Sequence, residues 1–272
     1  MRNKAGTRRS RIILAMSPLG MRKLDAVQEI QDEQYAFPYH YIPIRSDRGA
    51  STCMRWTWGL EYLVGLDMVL HHLEQSRPGS LLDIGCGDGR FLREVRARTP
   101  NMDMMGVDYS SRAIGLAGAM NPDIAYEQAD ITTDNRPAQY DAATLIEVVE
   151  HIPPTALPTF IAGARRWVRD GGILIVTVPH VNYPLIDKHY QYFTSSSLRE
   201  VIEPHFKVEK IVPFGRMAPM VRAAALALGI GGGRIVIDNL RLNGWVYRQY
   251  LKGCIAGQQE SACTRLLAVA RA

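Results

Sequence analysis

The sequence predicts a parallel α/β sheet covered by helices on both faces. Three observations carry that prediction. From Ser80 onward, short wholly apolar runs alternate with amphipathic runs of helical length. Gly, Pro and Asn punctuate the changes of pattern, as at Pro100, Asn121-Pro122 and Gly171-Gly172. A glycine-rich loop, Gly85-Cys86-Gly87-Asp88-Gly89, stands directly between the first apolar run and the helix after it. Strands that are apolar on both faces belong inside a three-layer sandwich rather than at a solvated surface.

Taken in order, residues 1–24 read as a basic, disordered tail and 25–76 as a helical cap with an aromatic stretch, Tyr35–Tyr41, in its middle. Apolar positions at helical spacing run through Arg55–Gln75, and Arg77-Pro78-Gly79 ends that helix. Leu81–Ile84 is the first strand and Arg90–Arg98 its helix. Met102–Val107 and Ser111–Met120 repeat the unit, and Ile124–Gln128 is the third strand. Ala142–Ile146 is the fourth, followed by a helix from about Thr155 to Val168 and a fifth strand, Ile173–Val178. Leu198–Ile202, Phe206–Val212 and Arg265–Ala270 add a helix and two strands. Residues 77–214 therefore form the core, 215–260 a helical insertion, and 261–272 the last strand.

The chain has 272 residues, 47% of them hydrophobic and 22% charged, which suits a sizeable core and excludes a disordered polymer. Its net charge of +5 and pI of about 9.1 invite a nucleic-acid reading. The charge is unevenly placed, however. Residues 1–24 hold seven basic and no acidic side chains, 25–214 hold 17 basic and 25 acidic, and 215–272 hold eight basic and two acidic. The central domain is acidic, and the positive charge belongs to the ends. Four separated cysteines argue against a disulfide scaffold or a zinc site and for a reducing, cytoplasmic setting. The most apolar stretch, Ala218–Ile237, is interrupted by Arg222, Arg234 and three glycines, too often to span a bilayer.

The glycine loop lacks the third glycine of a dinucleotide fingerprint, since Arg90 holds that position. A loop of this kind suits a nucleoside better than a pyrophosphate. Carboxylates recur at the ends of the following strands: Asp108 in Gly106-Val107-Asp108-Tyr109-Ser110, Asp130 in Gln128-Ala129-Asp130-Ile131, and Glu147 after Tyr140–Ile146. Strand ends of this kind line the crevice where such sheets bind ligands.

These motifs together resemble those of the class I S-adenosylmethionine (SAM) dependent methyltransferases over roughly residues 80–212. The resemblance implies a doubly wound, seven-stranded Rossmann-like sheet whose last strand is antiparallel. It implies a SAM site built from Asp83, Gly85, Cys86, Gly87, Asp108, Tyr109, Asp130, Ile131 and Ile146. Asp108 would take the ribose hydroxyls, Asp130 the adenine amino group, and Ile146 would lie by the methionine part. Arg55 is a further candidate, for the carboxylate of SAM or of a substrate.

Glu147, Glu150 and His151 are spaced to share one face of a helical turn, and His189 follows the next strand end. Two carboxylates and two histidines suit a hard divalent ion such as magnesium or manganese. The cluster is similar to that of the ubiquinone-biosynthesis O-methyltransferases. It is similar also to that of the small-RNA 3′-terminal 2′-O-methyltransferases, which use these four positions for a metal. The acid and tryptophan that follow the distal histidine in the RNA family are Tyr192 and Phe193 here. A plainer reading has Glu147 bonding nearby backbone and His151 starting a helix.

The resemblance thus implies a SAM-dependent methyltransferase, first of all one that O-methylates a small-molecule or sugar-containing acceptor with His151 or His189 taking the hydroxyl proton. An RNA 3′-terminal enzyme and a non-catalytic SAM-binding scaffold are the alternatives. The insertion 215–260 is expected to cover a greasy substrate, form a homodimer or lie on a membrane surface.

Overall fold

In a computed structural model, the described residues are 28, 44–46, 49–51, 56–134, 140–184, 186–230, 235–237 and 239–272. The tail, the aromatic stretch Tyr35–Tyr41 and Arg55 lie outside them.

Seven strands form one mixed sheet. They are β3 (Ser80–Ile84), β4 (Asp103–Asp108), β5 (Ala125–Gln128), β6 (Tyr140–Ile146), β7 (Val168–Pro179), β8 (Lys207–Phe214) and β11 (Arg265–Arg271). Their order is β5-β4-β3-β6-β7-β11-β8. The first five in that order run parallel, and β11 lies antiparallel between β7 and β8. This is the doubly wound sheet that the alternating pattern predicts.

The continuous apolar runs have a direct cause, because both faces of the sheet are covered. On β7, Ile173 and Ile175 pack into one core, and Leu174, Val176 and Val178 into the other. On β11, Leu267 and Val269 separate in the same way from Leu266, Ala268 and Ala270. The first core is closed by α1 (Trp56–Ser76), α2 (Arg90–Arg98), α6 (Pro219–Leu228) and α7 (Leu240–Ile255). The second is closed by α4 (Leu157–Trp167) and α5 (Ser195–Ile202), which contribute Phe160, Ile161, Trp167 and Leu198.

Local chemistry fixes the helix starts. The Ser110 hydroxyl accepts from Ala113 N at 3.2 Å and begins α3 (Ser111–Met120). Thr194 and Ser197 form a reciprocal capping box at the head of α5. Asn239 accepts from Leu242 N and opens α7. A hydrogen bond from the Tyr247 hydroxyl to the buried Asp67 then ties α7 to α1.

Three elements differ from expectation. The cap is not wholly helical: β1 (Ile44–Ser46) and β2 (Gly49–Ser51) pair antiparallel, in strands too short for a count of apolar spacing to find. The insertion also holds a small hairpin, β9 (Gly229–Ile230) with β10 (Ile235–Val236), on either side of the glycine run. Finally, β7 begins at Val168, earlier than Ile173. Gly171, at φ 77°, absorbs a register shift between the Tyr140–Val168 and Ala142–Ile173 pairs.

Candidate active site

The site lies along the C-terminal edge of the parallel strands. After β3 the chain turns through Gly85, whose φ is 72°. A Cβ there would stand 2.6 Å from Val148 Cγ2, so both the conformation and the space require glycine. The loop is held from the next strand: Gly85 N and Cys86 N donate to Val107 O, and Gly87 N donates to Asp108 Oδ2 at 3.0 Å. Asp108 is buried, and its other oxygen accepts from Ser110 N at 2.9 Å. Each carboxylate oxygen has a second lone pair, so Asp108 can serve the loop and a ligand's hydroxyls together.

The other predicted cradle residues among those described lie at or just past the ends of β3 to β6. Asp83 is buried and accepts from the Thr144 hydroxyl at 2.7 Å; burial, against that bond, pushes its carboxyl up to about 7. Cys86 is buried beside the loop, and burial followed by the charge of Asp108 pushes its thiol up, which keeps it unreactive. Tyr109 is 38% exposed, and its hydroxyl donates to Gln28 O at 3.4 Å, so Gln28 lies at this edge. Asp130 Oδ1 accepts from Thr132 N and Oγ1, an Asx-type turn closing the strand. Ile131 is buried in the second core and Ile146 packs partly against the first.

The acid–histidine cluster is only partly as predicted. Glu147 takes φ 54°, a strained conformation for a glutamate, while its N–H donates to Thr177 O at 3.0 Å. That turn sends its carboxylate toward Arg265, whose Nε lies 3.3 Å from Oε2. Arg265 also faces Glu61 of α1 at 3.6 Å and stands over the Tyr183 ring at 5.4 Å. Burial opposes its charge, but Glu147 and Glu61 outweigh burial and hold the guanidinium charged.

The other three residues converge. A 3₁₀ turn, Val149–His151, carries Glu150 and His151. One ligand atom from each of Glu150, His151 and His189 lies within 4.8 Å of the others, and the two imidazoles meet edge to face at 4.6 Å. Glu150 is fully buried, and neither carboxylate oxygen has a hydrogen-bond partner among the described residues. Burial, then the charge of Glu147, pushes its carboxyl up.

The hydrogen bonds settle both histidine tautomers. His151 Nδ1 meets the Lys188 carbonyl at 2.8 Å and must carry the proton, which leaves Nε2 as a bare lone pair. The Tyr192 hydroxyl gives its proton to Pro184 O at 3.0 Å, so it accepts from His189 Nδ1 at 3.0 Å, and His189 Nε2 is bare as well. Burial, followed by Lys188, lowers His151 to about 4; burial, followed by His151, lowers His189 to about 3. Both rings are neutral near pH 7. His180 is committed elsewhere, with Nδ1 accepting from Asn182 N and Nε2 facing Glu260.

A cleft of about 330 Å³ lies at the opposite edge of the sheet, by Gly79, Asp141 and Gly171. Its Arg169 and Arg271 are already paired with Asp141 and Glu209, each at 2.7 Å.

Residues 66–205, just over half of the chain, match the family described as "Methyltransferase domain". The chain belongs to the class I SAM-dependent methyltransferases. This methyltransferase is 31% identical over 123 residues to a ubiquinone biosynthesis O-methyltransferase of Alkalilimnicola ehrlichii, a match covering 43% of this chain and 48% of the relative. It is 31% identical over 114 residues to a trans-aconitate 2-methyltransferase of Deinococcus radiodurans, covering 40% and 42%. The methyltransferase thus spans about half the length of the curated relatives it matches. Among solved structures it shares its fold with the N-methyltransferase NodS of Bradyrhizobium japonicum WM9 in complex with S-adenosyl-L-homocysteine (TM-score 0.56, 15% identity, 91% and 98% of the two chains). A SAM-dependent methyltransferase of Archaeoglobus fulgidus is a further neighbour (TM-score 0.51, 17% identity, 76% and 94%).

Sequence reasoning missed Arg265, Glu61 and Lys188 around this methyltransferase's site. The signal was present for Arg265, a lone cation at the head of an otherwise apolar strand, Arg265–Ala270. Glu61 and Lys188 carry no comparable mark.

Proposed function

We propose that this chain transfers a methyl group from SAM to a hydroxyl of a small-molecule acceptor. SAM supplies an activated methyl sulfonium when bound, so the chain's own task is to align the hydroxyl, exclude water and take a proton. In this reading the turn Gly85–Gly87 and Asp108 hold the nucleoside, helped by Asp83, Cys86, Tyr109, Asp130 and Ile131, with Ile146 and Arg55 toward the methionine part. The observation that carries the reading is the pair of neutral imidazoles, His151 and His189. Both Nε2 lone pairs are bare; His151 follows β6, the strand beside the glycine loop's own, and His189 follows β7, the strand beyond it, with the two rings 4.6 Å apart. A neutral base takes the hydroxyl proton as the methyl transfers, and His151 is the first candidate.

The same lone pairs, with the unbonded Glu150 carboxylate, fit a magnesium or manganese ion, which would lower the hydroxyl's pKa. Glu147 is drawn away to Arg265, so the fitting set has three protein ligands and not the four that resemblance implies. The free, buried Cys86, Cys254 and Cys263 support a reducing, cytoplasmic setting.

The test pairs calorimetry with turnover. Asp108→Asn is expected to weaken S-adenosylhomocysteine binding on the order of 100-fold, the worth of two charge-assisted hydrogen bonds; unchanged affinity rejects the cradle. Turnover uses methyl-labelled SAM with phenols, tricarboxylates and a short RNA. Label is expected in an O-methyl ether or ester of a small acceptor and lost in His151→Ala at unchanged S-adenosylhomocysteine affinity. Label in the RNA alone selects the RNA reading, and transfer that survives loss of both histidines rejects them as bases.

A further inference from the structure

The insertion carries a surface that the methyl-transfer site does not use. On α6, Val221, Ala225 and Leu228 face the core. At 100° per residue, Arg222, Leu226, Ala223, Ala227 and Met220 then occupy the outward arc, and all five are exposed. Met220 is 71% and Leu226 56% exposed. The helix is therefore apolar on its solvent side as well as on its core side, with Arg222 as the exception. A helix apolar all round belongs against another phase or partner rather than in water.

The next helix complements it. On α7, Asn243, Val246, Tyr247, Tyr250 and Cys254 are buried. Arg241, Arg248 and Lys252, spaced seven and four apart, form one exposed stripe opposite them. None of the three has an acidic partner among the described residues. The helices pack on one another, and Ile237 N donates to Leu228 O at 2.8 Å where the end of α6 meets the approach to α7. Exposed Ile237 and Leu242 flank that junction.

We propose that α6 and α7 form a docking surface for an anionic lipid bilayer. The apolar face of α6 enters the headgroup boundary, and the basic stripe of α7 meets the lipid phosphates. Charge complementarity favours a bilayer over a second copy of this chain, because a two-fold contact would set two basic α7 stripes, without acidic partners among the described residues, near each other. The apolar α6 face in turn favours a bilayer over a nucleic acid, which would meet cations without needing exposed Met and Leu. The proposal is independent of the acceptor's identity, since no residue of the surface belongs to the methyl-transfer site.

Vesicle sedimentation of the full chain tests it, with phosphatidylcholine vesicles against vesicles holding about 30 mol% phosphatidylglycerol. The protein is expected to sediment with the anionic vesicles and release at high salt. Met220→Asp/Leu226→Asp and Arg241→Glu/Arg248→Glu/Lys252→Glu should each reduce binding on the order of 100-fold. Unchanged melting temperature and S-adenosylhomocysteine affinity serve as folding controls for these exposed positions. Any of three results overturns the proposal: no binding to anionic vesicles; binding equal in both variants and the parent, which would place attachment elsewhere in the chain; or a parent dimer in solution that Met220→Asp/Leu226→Asp converts to monomer.

Discussion

Arg265 Nε lies 3.3 Å from Glu147 Oε2, which ties the head of the last strand to the residue that follows β6. The left-handed backbone of Glu147 aims the side chain at this contact, and the contact keeps it out of the cluster of Glu150, His151 and His189. With Glu61 on the guanidinium's other side, Arg265 holds α1, β6 and β11 in register at the edge where the chemistry is assigned.

Arg265→Met should therefore leave two carboxylates facing each other without their cation. The side chains keep 16% to 33% exposure, so the cost is about 2–3 kcal/mol rather than that of a fully buried pair. Urea unfolding measures it. Adding Glu61→Gln and Glu147→Gln to the same variant should restore at least half of the loss. A single variant within about 0.5 kcal/mol of the parent would show that the ion pairs contribute nothing.

Gly85 and Val148 form a second testable contact. Gly85→Ala incurs two penalties, the positive φ and a Cβ 2.6 Å from Val148 Cγ2. Their sum should be about 2–4 kcal/mol. Val148→Ala opens the space but leaves the φ, so Gly85→Ala/Val148→Ala should be more stable than the sum of the two single losses by at least 1 kcal/mol. Strict additivity in thermal unfolding would mean the loop moves away and that close packing does not govern the position.

The sheet was legible because its physics is local and periodic. Leu81–Ile84, Ala142–Ile146 and Ile173–Val178 are apolar at every position or nearly so, which only a doubly covered strand tolerates. The hairpins β1–β2 and β9–β10 were not legible, since two- and three-residue strands carry no period. The glycine loop and Asp108 could be placed because each stands at a strand end. The fate of Glu147 could not. Spacing put Glu147, Glu150 and His151 on one helical face, but the chain there is a positive-φ residue followed by a 3₁₀ turn, and the cation that turns Glu147 aside lies 118 residues further along.

Asp83 gives a pH dependence of definite sign. Below about pH 4 its carboxyl is protonated in both the folded and the unfolded chain. Between about 4 and 7 the unfolded chain releases the proton while the folded chain, with Asp83 pushed up to about 7, retains it. Stability is thus lost as pH rises through this window, by an amount on the order of 4 kcal/mol at its end. Asp83→Asn keeps an acceptor for Thr144 and removes the proton. Relative to the parent, the variant should gain stability between pH 5 and pH 8 in the ligand-free protein. His72, lowered to about 4 by burial and then by Lys210, contributes the opposite trend but is common to both proteins and cancels. A stability difference that stays flat from pH 5 to 8 would mean Asp83 is ionised in the fold.

The cation reading of the histidine cluster is separable from methyl transfer by binding alone. If Glu150, His151 and His189 hold a divalent ion, manganese titrated into the protein without SAM should bind at one site, and its electron paramagnetic resonance signal should fall as it binds. Glu150→Gln, His151→Ala and His189→Ala should each weaken that site by at least tenfold, because each removes a ligand atom from a set confined within 4.8 Å. Glu147→Gln should leave it within about threefold, since its carboxylate is engaged by Arg265. The contrast distinguishes the two arrangements: loss at all four positions would restore the four-ligand set that spacing predicts, and it would require Glu147 to leave Arg265 when the ion enters. No saturable manganese binding would leave the imidazole pair as a metal-free base, and activity would then survive EDTA.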